Sequence, residues 1–181
     1  TVAQMKQVLF RLQRSDFWDP SLGPGLLKGK KFEALLRDNV EDDFTKLKTP
    51  VAISAFDVFS FRTKVFSGNA SLVKAVRASS SLPLLFHPVL YQGSLLIDGG
   101  VADDWAFRST TSADRVLCHY LLKGPQPRFI EDKRIRDHQT AERKIFAIRD
   151  KVSVGPTQLA NGPLAFDQAY LKAKALLDSP V

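Results

Sequence analysis

The chain has 181 residues, enough for one domain with a real core (1–181) and too few for two comfortable ones. Hydrophobic content of 44% and charged content of 25% are ordinary for a globular protein, and no apolar run reaches transmembrane length. The formal charge of +7 favours acidic lipid surfaces, but there is no RNP, zinc-finger or helix-turn-helix pattern to support specific nucleic-acid binding.

In chain order, Val2, Met5, Val8, Leu9 and Leu12 recur at helical spacing and predict an amphipathic helix over 2–14. That segment is charged and does not read as a signal peptide, so a cytoplasmic or peripheral membrane location is expected. Residues 15–30, "SDFWDPSLGPGLLKGK", read as loop from their Pro and Gly. A second helix is expected over 31–40. The β-rich runs 49–61 and 63–68 on either side of Arg62 predict two paired strands. A short helix follows over 69–79, with Asn69 or Ser71 available as N-cap. Segments 94–98 and 115–122 are apolar enough for strands buried on both faces. The polar, Pro-containing stretch after 123 reads as an excursion, 144–148 as a short strand, and 161–177 as a closing amphipathic helix. Strands alternating with helices predict a three-layer α/β domain.

The single cysteine, Cys118, excludes an internal disulfide and reads as a small buried hydrophobe in "RVLCHYLL". His87, His119 and His138 lie far apart without metal-ligand spacing, so no metal is expected. The chemistry concentrates in "LLIDGG", residues 95–100. A carboxylate at the end of a buried strand is costly to desolvate unless it is bonded. Two glycines behind it allow a sharp turn and a close backbone approach. Asp98 is therefore either a structural turn former or a catalytic group.

Residues 75–106, "AVRASSSLPLLFHPVLYQGSLLIDGGVADDWA", resemble the second signature block of patatin-like lipid acyl hydrolases. In that block a short helix ends A-x-R-A-S, a proline follows after three further residues, and a strand hairpin leads to a D-G-G or D-G-A turn. Upstream, "LKTPVAISAFDVFSFRTKVFSG" is similar to the family's preceding strand pair. Several ordered pieces at matching spacing make the resemblance specific. It covers residues 2–125 well and the last helix loosely.

The resemblance implies a patatin-like (FabD/lysophospholipase-like) sheet with flanking helices and a Ser–Asp dyad without histidine. Asp98 would be the general base, and Gly99 and Gly100 would shape its turn. No cofactor is implied. The implied substrate is a fatty-acyl ester or phospholipid, with contact at a membrane surface. The chain departs from the family in two ways. Among its ten glycines only Gly25 and Gly29 stand four apart, and Leu27 lies between them, so there is no G-x-S-x-G nucleophile elbow. The glycine-rich oxyanion loop is absent too. After D-G-G the run is "VADDWAF", where Asp103 and Asp104 are like charges that would raise the pKa of Asp98, and Trp105 reads as core.

Three explanations are open: an N-terminally truncated piece of a longer product, a shortened relative that kept the scaffold and lost the chemistry, or recruitment of another serine. For the last, Ser79, Ser80, Ser81 and Ser94 are the candidate nucleophiles, with His87 or His119 as base. Each serine also has an ordinary reading as a helix-end or strand residue, and His87 as a packed loop histidine. Sheet edges left unpaired by missing strands predict either a homo-oligomer that re-pairs them or an N-terminal helix rearranged to cover them. An ester hydrolase and a non-catalytic lipid- or protein-binding scaffold both remain compatible with the sequence.

Overall fold

The computed structural model describes residues 2–103, 105–110, 116–121, 128–140, 143–148, 152, 154–155 and 157–178. These form two compact units, 1–14 with 112–181, and 15–111. The architecture is mixed α/β, with helices and both parallel and antiparallel pairings, as expected.

In the first unit, helix α1 (Val2–Arg11) precedes the second unit in the chain. Its Phe10 ring meets Phe166 edge-on at 5.7 Å, and Lys6 Nζ lies over the Phe166 ring at 4.5 Å. Phe166 belongs to the closing helix, Gly162–Asp178. Strands Val116–Leu121 and Arg143–Ile148 pair in parallel. The excursion expected after residue 123 contains a helix, Arg128–His138. Parallel neighbours need a crossover rather than a tight turn, and a helix is the usual means of covering that distance. The side chains of Cys118 and His119 lie outside the described residues, and with them the readings given to those two positions.

The second unit holds all but the first residue of a helical turn, α2 (Arg14–Phe17), and then strand β1 (Gly25–Leu27). Both fall where the sequence reads as loop. Strand β1 pairs in parallel with β4 (Leu84–Phe86). Between them in the chain come α3 (Lys30–Asn39), β2 (Ile53–Asp57), β3 (Arg62–Phe66) and α4 (Leu72–Ser79). After β4 follow β5 (Val89–Tyr91) and β6 (Ser94–Asp98), and the main sheet has the order β3-β2-β6-β5, antiparallel throughout. On β6, Ser94 and Leu96 are buried whereas Leu95 and Ile97 are half-buried. The expectation of two fully buried faces is thus corrected, since an antiparallel sheet can leave its second face less covered.

Helix α4 lies on the inner face of this sheet. Leu72, Ala75 and Ala78 pack there with Ala55, Phe66, Val89 and Leu96, and Phe44 completes the cluster. Full burial of each large apolar side chain is worth about 1.5–3 kcal/mol. Ser71, not Asn69, is the N-cap: its Oγ accepts from Lys74 N at 3.1 Å. Asp42 reinforces the cap from a distance, accepting from Ser71 Oγ at 2.6 Å and Val73 N at 2.8 Å. Helix α3 is capped in the same remote way. Gly29 supplies no side chain, so Asp19 accepts from the amides of Gly29, Lys30 and Lys31 at 2.9, 2.7 and 3.1 Å.

Arg77 is the largest fully buried side chain among the described residues, 2% exposed. Its guanidinium donates to Gly29 O (3.0 Å), Lys28 O (2.8 Å), His87 O (3.2 Å) and Ser81 Oγ (2.6 Å), and lies 4.9 Å from the Phe86 ring centroid. None of those four acceptors carries a charge. Burial pushes the guanidinium below its usual pKa, against the opposing pull of Glu33 and Asp19. Gly29 has φ 74, and a Cβ there would occupy the space of the guanidinium. The site therefore needs glycine twice, for its left-handed backbone and for the arginine.

Replacing Arg77 with Ala removes four hydrogen bonds, two of them buried, and empties the space of the largest fully buried side chain, and the expected loss is on the order of 3 kcal/mol in urea unfolding. Arg77→Lys is expected to recover only part of it, because an ammonium cannot span the planar fork. Burial raises the pKa of Asp42, but the bonds from Ser71 and Val73 outweigh it and hold the carboxyl below its usual range. Its contribution is present above the ordinary carboxyl pKa of about 4 and is lost as pH falls through the lowered folded value. Asp42→Asn should therefore show a smaller loss of stability than the parent between about pH 6 and pH 3, read by thermal unfolding.

Candidate active site

Asp98 ends β6, where its position opposite Ala55 on β2 is set by antiparallel register. Its backbone N–H donates to Ser81 O at 3.0 Å, tying the strand end to the chain leaving α4. Its carboxylate Oδ1 accepts from Gly100 N at 2.7 Å and caps the 3-10 turn Gly99–Val101. The side chain is half-buried. A strand, a turn amide and the α4 exit thus all bear on one carboxylate.

Gly99 is buried, and a Cβ there would lie 2.6 Å from Ser54 O and 2.9 Å from Ser54 Oγ. Only a residue without a side chain lets the turn pass this close to β2. Beyond the turn, Asp103 accepts from the amides of Phe107 (3.2 Å) and Arg108 (2.9 Å) and serves as a local cap. Trp105 is buried, as its residue type suggests, and stacks on Phe107 at 5.9 Å. Asp104 lies outside the described residues.

The serines named from sequence are dispersed. Ser81 is fully buried, and its Oγ accepts from Arg77 and donates to Arg77 O at 2.8 Å. Ser79 is the last residue of α4 and Ser80 its C-cap, both half-buried. Ser94 starts β6, four residues from Asp98, which corresponds to about 13 Å along an extended strand. It is 1% exposed, and the Lys64 amine donates to its Oγ. Lys64 also pairs with Asp57 at 3.7 Å, so the three side chains form a polar tie across β2, β3 and β6. Burial raises the Asp57 pKa, but bonds from Ser60, Phe59 and Ser94 with the Lys64 charge hold it below the usual carboxylate range.

His87 is a clamp in the loop before β5. Its Nε2 lies 3.0 Å from Gly25 O, and its ring covers Gly23. The structure brings Ser81 and Asp98 together through the backbone and joins Ser81 and His87 through Arg77. It does not bring the Ser94 hydroxyl to Asp98. Among the described residues, no group of three or more His, Cys, Asp or Glu could hold a metal ion.

Two participants escape sequence reading. Arg77 sits in a helix whose other inward positions are apolar, and a lone arginine there is the signal that was available. Ser54 had none, because its part is to be approached closely by Gly99.

A family model described as patatin-like phospholipase matches residues 3–110, more than half of the chain. The matched span contains α4, β6 and the Asp98 turn.

Gly99→Ala is expected to force β2 and the 3-10 turn apart. A destabilisation of about 1–3 kcal/mol in urea unfolding would be the reading, with a chemical-shift change at Gly100 N as the local one.

Proposed function

The chain belongs to the patatin-like phospholipase family, and from that premise we propose that it serves lipid acyl ester hydrolysis with Asp98 as general base. The support is one arrangement: a half-buried carboxylate that accepts from Gly100 N, on a residue whose backbone N–H is tied to Ser81 O at the strand end, on a turn that only glycine can make. A base must be held within hydrogen-bond reach of the proton it removes, and rigid anchoring of this kind supplies that constraint.

In the proposed reaction a serine hydroxyl attacks the ester carbonyl while its proton passes to the Asp98 carboxylate. The tetrahedral intermediate collapses, the alcohol leaves with that proton, and an acyl-serine remains. Water then attacks the acyl-serine with Asp98 again as base, releasing the fatty acid and regenerating the hydroxyl. Gly99 and Gly100 act by shape. We assign the hydroxyl to none of the four candidate serines of this chain. Ser81 and Ser94 are buried with their hydroxyls engaged by Arg77 and Lys64, and Ser79 and Ser80 lie at the helix end. These 181 residues contain no G-x-S-x-G, and in this proposal the attacking hydroxyl comes from a residue other than these four.

The missing elbow also favours a second reading, a scaffold that binds lipid or protein without turnover. One experiment separates the two: hydrolysis of a p-nitrophenyl acyl ester and of a phospholipid by the whole gene product carrying this chain. Asp98→Asn is expected to lower kcat at least about a thousandfold with the fold intact by circular dichroism. Unchanged turnover in that variant removes the base assignment, and absence of turnover in the parent supports the scaffold.

A further inference from the structure

We propose that the turn joining β2 to β3 is an interfacial anchor that inserts into an anionic phospholipid surface. The inference rests on the lipid-substrate reading for its choice of partner and on the geometry of the turn for everything else. Phe59 and Phe61 are 64% and 78% exposed at its tip. Phe61 adopts φ 52, a backbone region that residues with a Cβ disfavour, and its ring reaches Phe56 only edge-on at 6.4 Å. Neither burial nor backbone preference accounts for a phenylalanine there. Strain together with apolar exposure is what a contact surface displays before its partner arrives.

The turn is also rigid. Asp57, 3% exposed, accepts from Phe59 N at 3.0 Å and Ser60 Oγ at 2.8 Å, and Lys64 holds the same carboxylate from β3. The two rings are therefore presented with little ordering left to do on contact. The acid of the turn is enclosed and paired, whereas Arg62 is exposed at the base of the tip. The exposed charge of the tip is consequently positive, which complements an anionic headgroup layer beneath two apolar rings. The rings offer roughly 300 Å² of apolar surface, well short of the roughly 800 Å² per partner of a stable protein interface. A bilayer needs no such matching area.

The turn begins beyond Asp57, two residues along β2 from Ala55, the pairing partner of Asp98 (about 7 Å of extended strand), and Phe59 lies two residues further on in the turn, so the tip does not include the carboxylate. The test is co-sedimentation of the purified chain with phosphatidylcholine vesicles, with and without phosphatidylserine. The parent is expected to pellet with the anionic vesicles, and Phe59→Ala with Phe61→Gly to lower partitioning about tenfold or more. Phe61→Gly relieves the left-handed backbone, so thermal unfolding should show the fold retained. Arg62→Glu is expected to lower binding to phosphatidylserine vesicles alone. Equal pelleting of parent and variants, or no pelleting of the parent, overturns the proposal. So does concentration-dependent dimerisation abolished by the Phe variants without vesicle binding, which would assign the tip to a second copy. Because binding is read without turnover, it stands or falls independently of Asp98→Asn, and the same tip substitutions in the whole gene product should leave its hydrolysis of a soluble short-chain ester unchanged.

Discussion

A guanidinium buried among uncharged oxygens is the constraint on which the second unit turns. Arg77 collects the carbonyls of Lys28, Gly29 and His87 and the hydroxyl of Ser81, four groups from three separate stretches of chain. Removing a charge from water is expensive, and the cost is offset here only because every one of those bonds is made together. That all-or-none demand fixes where the segment after β1, the exit of α4 and the start of β5 can lie. It also explains why Gly29 must be a glycine and why Asp19, ten residues upstream, has to cap α3 in its place.

From Arg77 the constraint reaches the candidate site in two short steps. The arginine holds the Ser81 hydroxyl, and the Ser81 carbonyl accepts from the amide of Asp98. Sheet register supplies the second coordinate, and the close pass of Gly99 over Ser54 the third. The carboxylate is thus positioned by backbone geometry, with one turn amide bonded to it. Arg77 in this arrangement is a positioning residue, acting through Ser81.

The opposite end of the sheet is built on a different principle. There Asp57, Lys64 and Ser94 join three strands by a charged network on the inner face, and the turn beyond it carries its phenylalanines outward. Polar groups face inward and apolar rings face outward, the reverse of the ordinary arrangement. Against the upward push of burial, bonds from Ser60, Phe59 and Ser94, with the Lys64 charge, hold Asp57 below the usual carboxylate range, which is what allows a carboxylate to be enclosed beneath an exposed apolar tip.

Local pattern was sufficient for much of this. The spacing of Val2 to Leu12, the β-rich runs around Arg62, the Ser71 cap and the Leu-Leu-Ile-Asp-Gly-Gly turn are written in short stretches, because helix period, strand composition and glycine turns act over a few residues. The ordered blocks of residues 47–68 and 75–106 likewise carry the family by themselves. Strand β1 and α2 were hidden in a Pro- and Gly-rich segment, since the strand that β1 pairs with, β4, lies nearly sixty residues away. The helix Arg128–His138 was hidden by its polarity. Only the tertiary structure decided that Ser81 and Ser94 have their hydroxyls engaged, that Asp57 is enclosed, and that Phe61 stands exposed in a left-handed backbone. Each of those states depends on what a distant segment places alongside, and burial, bonding and pKa are properties of that neighbourhood rather than of residue type.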